Sequence, residues 1–458
     1  MSKLLKILGR SVSISAEWIL IAILISVFAI RSEIVQTFLG QKVAHYLSEE
    51  LNAELSIGAI EFVFFDQIYL KEVSVIDPTG QSLLRLNELK VEMDQFALFQ
   101  RDLVLNKIHL NEGVVNINRR AEDGQYNYQF LLDYFSSDAP SEENNSVFKI
   151  KEVLFSGINF RYDDNRKVSI DEGVDFNHIF LKGFGIALAD LRIGNDLFTT
   201  KISDIHFIEQ SGFHLENFES ELIITGKQIS LNALNIKSEN SEIHSPLFEL
   251  NYSSWSSFDS FEKLVAFNSF IDSSLVSMTD IAYFVPSLIG MNDLLRIQGH
   301  VVNPIEDMEL LGLVLAFGKN SLIQGDFELP YFSEKAAKKY TQHIENAHID
   351  LKDLQAFQFP EGFSALNLDP IEDQKFIAVS NLKLTGDLEV VDISAAFIKT
   401  DYGQIKIPSP LRLERDSLEL FITPVNTNQS PFLIEEFALG SFLKHDLFGL
   451  LKGSFTPY

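Results

Sequence analysis

The chain has 458 residues, a formal net charge of −27 and no cysteine. The negative charge argues against binding to nucleic-acid phosphates, which requires basic surfaces. The lack of cysteine excludes disulfide frameworks and thiolate metal sites. Apolar residues make up 46% of the chain and charged residues 22%, which is typical of a folded protein and not of a disordered one.

Residues 1–33 are predicted to form a cytoplasmic tail and a transmembrane anchor. The stretch 11–30 lies between Arg10 and Arg31 and has about the 20 residues that a helix needs to cross a bilayer core. Basic residues and no acidic residue precede it, so the positive-inside rule places the amino terminus in the cytoplasm and the bulk of the chain across the membrane. A cleaved signal peptide is the alternative interpretation. The predicted anchor residues are Trp18, Ile19, Leu20, Ile21, Ile23, Leu24, Ile25, Val27, Phe28 and Ile30.

Residues 34–52 follow with a different pattern. Apolar side chains at positions 34, 35, 38, 39, 43, 46, 47 and 51 recur at helical spacing, which predicts an amphipathic helix whose apolar residues fill one face. Such a helix either caps the end of the next domain or lies along the membrane surface.

The apolar period changes from 3.6 to 2 after residue 53. Leu89, Val91 and Met93 alternate with polar residues, which is typical of strands with one apolar and one wetted face. Asp77-Pro78-Thr79-Gly80 is a turn signal between two such strands. The sequence therefore predicts an antiparallel β region over 53–135, a flexible linker over 136–146 and a second β region over 147–255.

The second half of the chain combines helical spacing with a weak repeat. Helical patterns over 260–270 and 279–288 predict a helical insert at 256–293, and 294–458 is again strand-like. Asp280, Asp353 and Glu436 each start a similar short segment that leads to a strand ending in glycine. Spacings of roughly 70 to 85 residues suggest stacked units that bury a face against the next one.

No motif carries recognisable chemistry. The chain has no H-E-x-x-H, no G-x-S-x-G and no phosphate-binding loop. His343 and His348 stand beside acidic residues, which favours a solvated face over a metal site. The run 163–165, Asp-Asp-Asn, lacks the glycine and terminal glutamate of a calcium loop and predicts a turn. We expect neither a catalytic site, a metal site nor a cofactor, and the sequence predicts that the protein is not an enzyme.

Several segments in order resemble one family. VQTFL at 35–39, SIGAI at 56–60, NYQFLLDYFSSD at 127–138 and DIAYFVP at 280–286 are similar to the N-terminal part of Bacteroidetes-type TamB-like proteins of the AsmA superfamily. The resemblance implies an inner-membrane anchor and a long periplasmic β-groove, the β-taco, with a hydrophobic interior. It also implies a role in moving phospholipids to the outer membrane, or in assembling outer-membrane proteins beside a BamA-type barrel partner.

TamB-like proteins continue further, to a C-terminal domain that engages the barrel. This sequence reaches Tyr458 partway through a repeat, so we expect a truncated form or a fragment of a longer protein. Barrel binding is therefore open, whereas phospholipid acyl chains are the ligand that the resemblance implies.

The predicted fold is mainly β. An N-terminal transmembrane helix and an amphipathic helix precede an elongated antiparallel β-groove with one or two short helical inserts, and a closed β-sandwich is the alternative. The function that follows is a lipid-transfer conduit or outer-membrane biogenesis factor, and the alternative is an anchored structural or adhesive scaffold that binds a protein. The candidate groove-lining residues are Leu89, Val91, Met93, Ile108, Leu110, Val115, Ile117, Leu382, Leu384, Leu388, Val390, Leu418, Leu420 and Ile422.

Overall fold

The computed structural model describes residues 32–63, 66–93, 104–137, 148–194, 196–329, 340–357, 375–386, 390–394, 396–401, 403–407, 411–416, 419–424 and 433–435. This part of the chain is mainly β, as the sequence predicted. The chain divides into unit 1, with residues 1–171, 175–195 and 203–212, and unit 2, with residues 172–174, 196–202 and 213–458.

The predicted membrane anchor at 11–30 lies outside the described residues. Of the helices in the described ranges, none is long and apolar enough to cross a membrane.

Unit 1 is built on strands that pair in chain order from β1 to β6. The predicted turn between β2 and β3 is confirmed, because the Asp77 carboxylate accepts hydrogen bonds from the backbone N–H groups of Thr79 (2.9 Å) and Gln81 (2.7 Å). The elements are α1 (Glu33–Leu51), β1 (Glu54–Val63), β2 (Gln67–Ile76), β3 (Ser82–Met93), β4 (Val104–Arg119), α2 (Gln129–Ser137), β5 (Phe148–Asp164) and β6 (His178–Ile193).

One pairing in unit 1 departs from the predicted antiparallel order. Strands β4 and β5 are parallel over their whole length, from Val104 opposite Lys149 to Arg119 opposite Asp164. Parallel neighbours need a crossover connection, and the residues between them include helix α2, which periodicity alone did not predict. The other described strand pairs are antiparallel.

Helix α1 docks on β1, but not through the predicted apolar face. Gly40 and Ala44 lie against Ile57 and Ile60, so small residues let the helix approach the strand closely. Several large apolar residues of the predicted stripe are exposed instead, Ile34 by 83% and Phe38 by 56%. The physical cause is that small side chains let the helix pack closely against the strand.

Unit 2 continues as an antiparallel meander from β8 to β16. Strand β16 then pairs with β17 at one end and β18 at the other. The remaining elements of the chain are β7 (Leu197–Glu209), β8 (His214–Thr225), β9 (Gln228–Ser238), β10 (Glu242–Asn251), α3 (Phe261–Leu264), β11 (Ala266–Ser277), α4 (Met278–Ala282), β12 (Leu294–Asn303), β13 (Glu309–Phe317), β14 (Ser321–Glu328), β15 (Tyr340–Asp350), α5 (Leu351–Ala356), β16 (Phe376–Gly386), β17 (Val390–Ser394), β18 (Ala396–Thr400), β19 (Gly403–Ile407), β20 (Leu411–Asp416), β21 (Glu419–Pro424) and β22 (Leu433–Glu435); short 3-10 turns occupy Trp255–Ser260, Pro286–Leu288 and Ile305–Asp307.

The predicted helical insert at 256–293 is only partly helical. Its first half holds a 3-10 turn and the four-residue helix α3, but Ala266–Ser277 is strand β11 and not a helix. Strand β11 pairs on one side with β10 and on the other with β12. Hydrogen bonding to two neighbours outweighs the local helical spacing, which is a weak preference.

Two of the aspartates that begin the predicted repeat segments make similar contacts. The Asp280 carboxylate, in α4, accepts hydrogen bonds from the hydroxyls of Ser238 and Ser241 (both 2.6 Å) at the β9–β10 turn. The Asp353 carboxylate, in α5, accepts one from the hydroxyl (3.1 Å) and one from the N–H (3.0 Å) of Ser321 at the β13–β14 turn. Each aspartate thus ties a short helix to the preceding hairpin. The third predicted copy lies outside the described residues.

An ion pair at the end of β5 makes the stability of unit 1 depend on pH. The Arg166 guanidinium donates to both carboxylate oxygens of Asp164 (2.9 and 2.6 Å), and Asp164 is almost completely buried. This contact holds the pKa of Asp164 far below its usual value. A lowered folded-state pKa adds stability that is fully present above the unfolded pKa of about 3.9 and is lost as the pH falls below it.

We therefore expect the urea midpoint of the full chain to fall as the pH drops below about 4. The Asp164→Asn variant should be less stable at pH 7 and should show a weaker dependence on acid, by circular dichroism at each pH. Asp171→Asn, which removes an exposed carboxylate of the same loop, is the matched control and should behave like the wild type. Equal acid dependence in the two variants would contradict the assignment.

Candidate functional site

One face of unit 1 carries two parallel rows of apolar side chains, which we call the apolar ladder. Directly opposite residues on paired strands share a face, so each row crosses all six strands. The rows are Ile60, Leu70, Leu89, Leu110, Phe155 and Ile186, and Phe62, Ile68, Val91, Ile108, Val153 and Leu188. Most of these side chains are half-buried, and Ile60 and Val153 are buried, so the ladder forms a largely apolar face.

The opposite face is charged and internally paired. Glu92, Lys107 and Glu152 lie opposite one another on β3, β4 and β5, and the Lys107 ammonium lies 2.9 Å from a Glu152 carboxylate oxygen. On β1 and β2 the Lys71 ammonium lies 2.9 Å from Glu61. Ion pairs on one face and aliphatic side chains on the other show that the two faces have different environments.

A line of unusual backbone conformations crosses the same strands. Lys71, Glu88, Asn111 and Ser156 form one row across β2 to β5. The next position along the strands holds Glu72 (φ 51°), Asn87, Glu112 (φ 48°) and Gly157 (φ 65°). A left-handed residue inside a strand bends it sharply and shifts the alternation of its side chains. We call this line the crease.

The crease has a cost that its neighbours must offset. A left-handed conformation costs a non-glycine residue on the order of 1 kcal/mol, and Glu72 and Glu112 both adopt it. Gly58 on the partner strand β1 leaves room for Glu72, because a Cβ at position 58 would lie 2.8 Å from a carboxylate oxygen of Glu72. The amide of Asn87 donates a hydrogen bond to the Glu112 carboxylate (2.9 Å). Side chains across several strands therefore hold the bend in place.

The apolar face is on the inside of the crease. Residues three apart on one strand, such as Leu70 and Val73 or Phe155 and Ile158, flank the bend and pack in a single cluster. Ile158 is completely buried. Among the described residues, the apolar side chains packed around the cluster lie on β2 to β6. The bend therefore has an apolar inner side, which we call the trough.

Unit 2 repeats the pattern. Left-handed residues interrupt β9 at Ala233 (φ 50°), β11 at Ser273 (φ 36°), β13 at Gly312 (φ 57°) and β16 at Asn381 (φ 51°). Register shifts accompany the bend between β10 and β11, and from there to β15. An apolar row beside it consists of Ile297, Leu315, Ile323, Ala347, Val379, Ile398 and Ile405.

Buried serines satisfy the backbone groups that these bulges leave without a ladder partner. The Ser220 hydroxyl donates to the carbonyl of Asn232 (2.9 Å), and the Ser245 hydroxyl donates to the carbonyl of Leu247 (2.8 Å). The Ser274 hydroxyl accepts from the backbone N–H of His244 (2.9 Å). Unpaired buried backbone groups are costly, so these hydrogen bonds stabilise the bulges.

The predicted groove-lining residues fall into three sets. Those on β3, β4, β16 and β17 are half-buried members of paired strands: Leu89, Val91, Met93, Ile108, Leu110, Val115, Ile117, Leu382, Leu384 and Val390. Leu420 and Ile422 lie on strand β21. Leu388 and Leu418 lie outside the described residues. The structure thus brings Leu89, Val91, Ile108 and Leu110 together as neighbours on one face.

Sequence reasoning missed the residues of the crease, although a signal was present. Apolar residues spaced by three, with a polar or small pair between them, break the period of 2 at each bend. The segments are LKEV at 70–73, FSGI at 155–158, LKGF at 181–184 and LNAL at 231–234. A single such break is common in any strand, and only the pairing register shows that they align.

Titratable groups do not assemble into a recognisable reaction centre in the described ranges. No group of three histidine, aspartate or glutamate side chains there could hold a metal ion. His343 lies 3.9 Å from Asp326, and His348 stacks on the Phe376 ring, so each has its own partner. Many of the other described polar residues are engaged in caps, turns and ion pairs.

The creased, two-faced sheet is the main structural feature of the described residues. Comparison with protein-family models, with curated protein sequences and with solved structures finds no match for this chain. The function is therefore inferred from the trough itself, together with the sequence pattern of the segment that precedes it.

Proposed function

We propose that this protein is a membrane-anchored, periplasmic carrier of phospholipid acyl chains, which it holds on the apolar inner face of the creased sheet. The observation that supports this most directly is the apolar ladder, which crosses six strands and whose side chains are mostly half-buried. A surface of that kind inside a bend suits a long, flexible apolar ligand better than a compact one.

The dimensions and energies fit an acyl chain. Six strands about 4.8 Å apart span about 24 Å, whereas one leaflet of a bilayer core is about 15 Å thick. Each methylene removed from water contributes about 0.8 kcal/mol, so partial contact along the ladder is enough for binding. Because the ladder side chains are not fully buried, one side of a bound lipid stays accessible. The lipid can then move along the ladder or pass to a partner.

The cellular setting is part of the same proposal. The apolar segment 11–30 and the basic residues before it support an inner-membrane anchor with a cytoplasmic amino terminus. The likeness of several segments to TamB-like proteins supports a role in outer-membrane biogenesis, with a BamA-type barrel as a further proposed partner. The proposed role is binding and transfer, with no catalytic step, metal or cofactor.

Site-specific photocrosslinking in cells tests the proposal. A benzophenone amino acid at Ile108 faces the apolar ladder, and the same group at Lys107, one residue earlier, faces the ion-paired side. With radiolabelled phospholipid, we expect lipid attached to the protein at position 108 and not at position 107.

Two outcomes would overturn the proposal. Equal labelling at both positions would show that lipid meets the protein without regard to the trough. Crosslinking of position 108 to another protein in place of lipid would favour the alternative function, a scaffold that binds a protein partner.

A further inference from the structure

Helix α1 carries exposed apolar residues in its first two turns. Ile34 (83% exposed) and Phe38 (56%) lie one turn apart on the face that points away from β1. The docked face is the opposite one, through Gly40 and Ala44. Isolated exposed apolar residues are ordinary, but these two are adjacent and lie just after the apolar segment 11–30.

The exposed face changes character along the helix. After Ile34 and Phe38 come Lys42, whose ammonium lies 5.9 Å from the centre of the Phe38 ring, and Tyr46, which is 59% exposed. Glu49 follows one turn later, also exposed. A chain that leaves a bilayer passes the acyl boundary, then the headgroups and then water. The exposed residues of α1 follow this order, because they are first apolar, then basic and aromatic, and then acidic.

We infer that the first two turns of α1 lie in the lipid interface of the membrane that holds segment 11–30, and that the trough takes lipid from this surface. The occupant of the exposed face is thus the bilayer itself. The second part of this inference rests on the proposed function, whereas the seating of α1 does not.

A cleft beside these turns gives the lipid a way in. It measures about 630 Å³ and lies between the start of α1, at Gln36 and Thr37, and the end of β1, at Phe62 and Val63. Phe62 is both a wall of this cleft and the first residue of a ladder row. The Glu61–Lys71 ion pair, which lies on the charged face of the sheet, forms another wall, so the cleft is at the edge of β1 where the two faces meet.

Spin labelling tests the seating of α1 directly, because the chain has no native cysteine to remove. Phe38→Cys and Glu49→Cys are labelled in the full chain in phosphatidylcholine nanodiscs. Eleven residues of helix separate them by about 16 Å along the axis. We expect the label at 38 to collide with oxygen in preference to a water-soluble nickel reagent, and the label at 49 to do the reverse.

The inference fails if the label at position 38 is as accessible to the nickel reagent as the label at 49. It also fails if the label at 38 is shielded from both reagents, since a protein contact would then cover this face. A second measurement uses Ile34→Ser with Phe38→Ser and the photocrosslink at Ile108. We expect lipid labelling to fall several-fold; unchanged labelling would leave the proposed function standing and overturn entry at α1.

Discussion

Replacing Ile158 by alanine is expected to lower the free energy of unfolding of unit 1 by about 3 kcal/mol. The side chain is completely buried where the sheet bends, in contact with the cluster of Val73 and Leu86. Removing it leaves a cavity that the crease cannot close without moving several strands. The measurement is hydrogen exchange of peptides from β4 to β6 in the full chain, which reports local stability even when the two units unfold separately.

The matched control for Ile158 is Ile193→Ala. Ile193 is the same residue type on the neighbouring strand β6, and it is 41% exposed. Its truncation should cost well under 1 kcal/mol, because little apolar surface returns to water. If the two variants lose protection equally, Ile158 is not the packing centre of the bend, and the trough geometry at this point is wrong.

Replacing Ile108 by aspartate is expected to abolish lipid binding while the fold survives. Ile108 is half-buried on the apolar ladder, between Val91 and Val153. A carboxylate on an open trough wall keeps part of its hydration, so the loss of folding stability is small. An acyl chain on the ladder would, however, have to pass a charge. In a closed β-sandwich the same change would cost several kcal/mol. Thermal melting and the lipid that remains after purification are measured together.

His109→Asp places the same charge one residue later, on the opposite face. His109 lies directly across from Lys90, so a carboxylate there gains a basic neighbour. This variant should melt normally and retain its lipid. An Ile108→Asp protein that unfolds would favour the sandwich, and one that melts normally and retains lipid would remove the ladder from the binding mechanism.

Much of the fold could be predicted because its causes are local. Alternation of apolar and polar residues specifies strands in which one face is wet, as in β3. The Asp77 turn depends on a side chain that bonds its own backbone two and four residues later. Asp280 and Asp353 lie in similar local sequences, and each accepts a hydrogen bond from a serine hydroxyl.

The candidate site was only half visible in the sequence. Members of the ladder such as Leu89 and Ile108 follow from alternation, which assigns them to an apolar face. That they are neighbours follows from the register between β3 and β4, which no local pattern contains. The docking face of α1 could not be predicted for a related reason: the helix approaches Ile57 and Ile60 through the small residues Gly40 and Ala44 and not through its larger apolar residues.

Periodicity, charge and short turns thus determined that this protein is mainly β with one apolar and one polar face, because these depend on residues a few positions apart. Tertiary structure alone decided that β4 and β5 are parallel, that Ala266–Ser277 is a strand, and that left-handed residues align into a crease. Each of these depends on hydrogen bonds to another strand, which lie outside the local window that periodicity samples, and such bonds outweigh local preference. The bend in the two-faced sheet arises from that alignment.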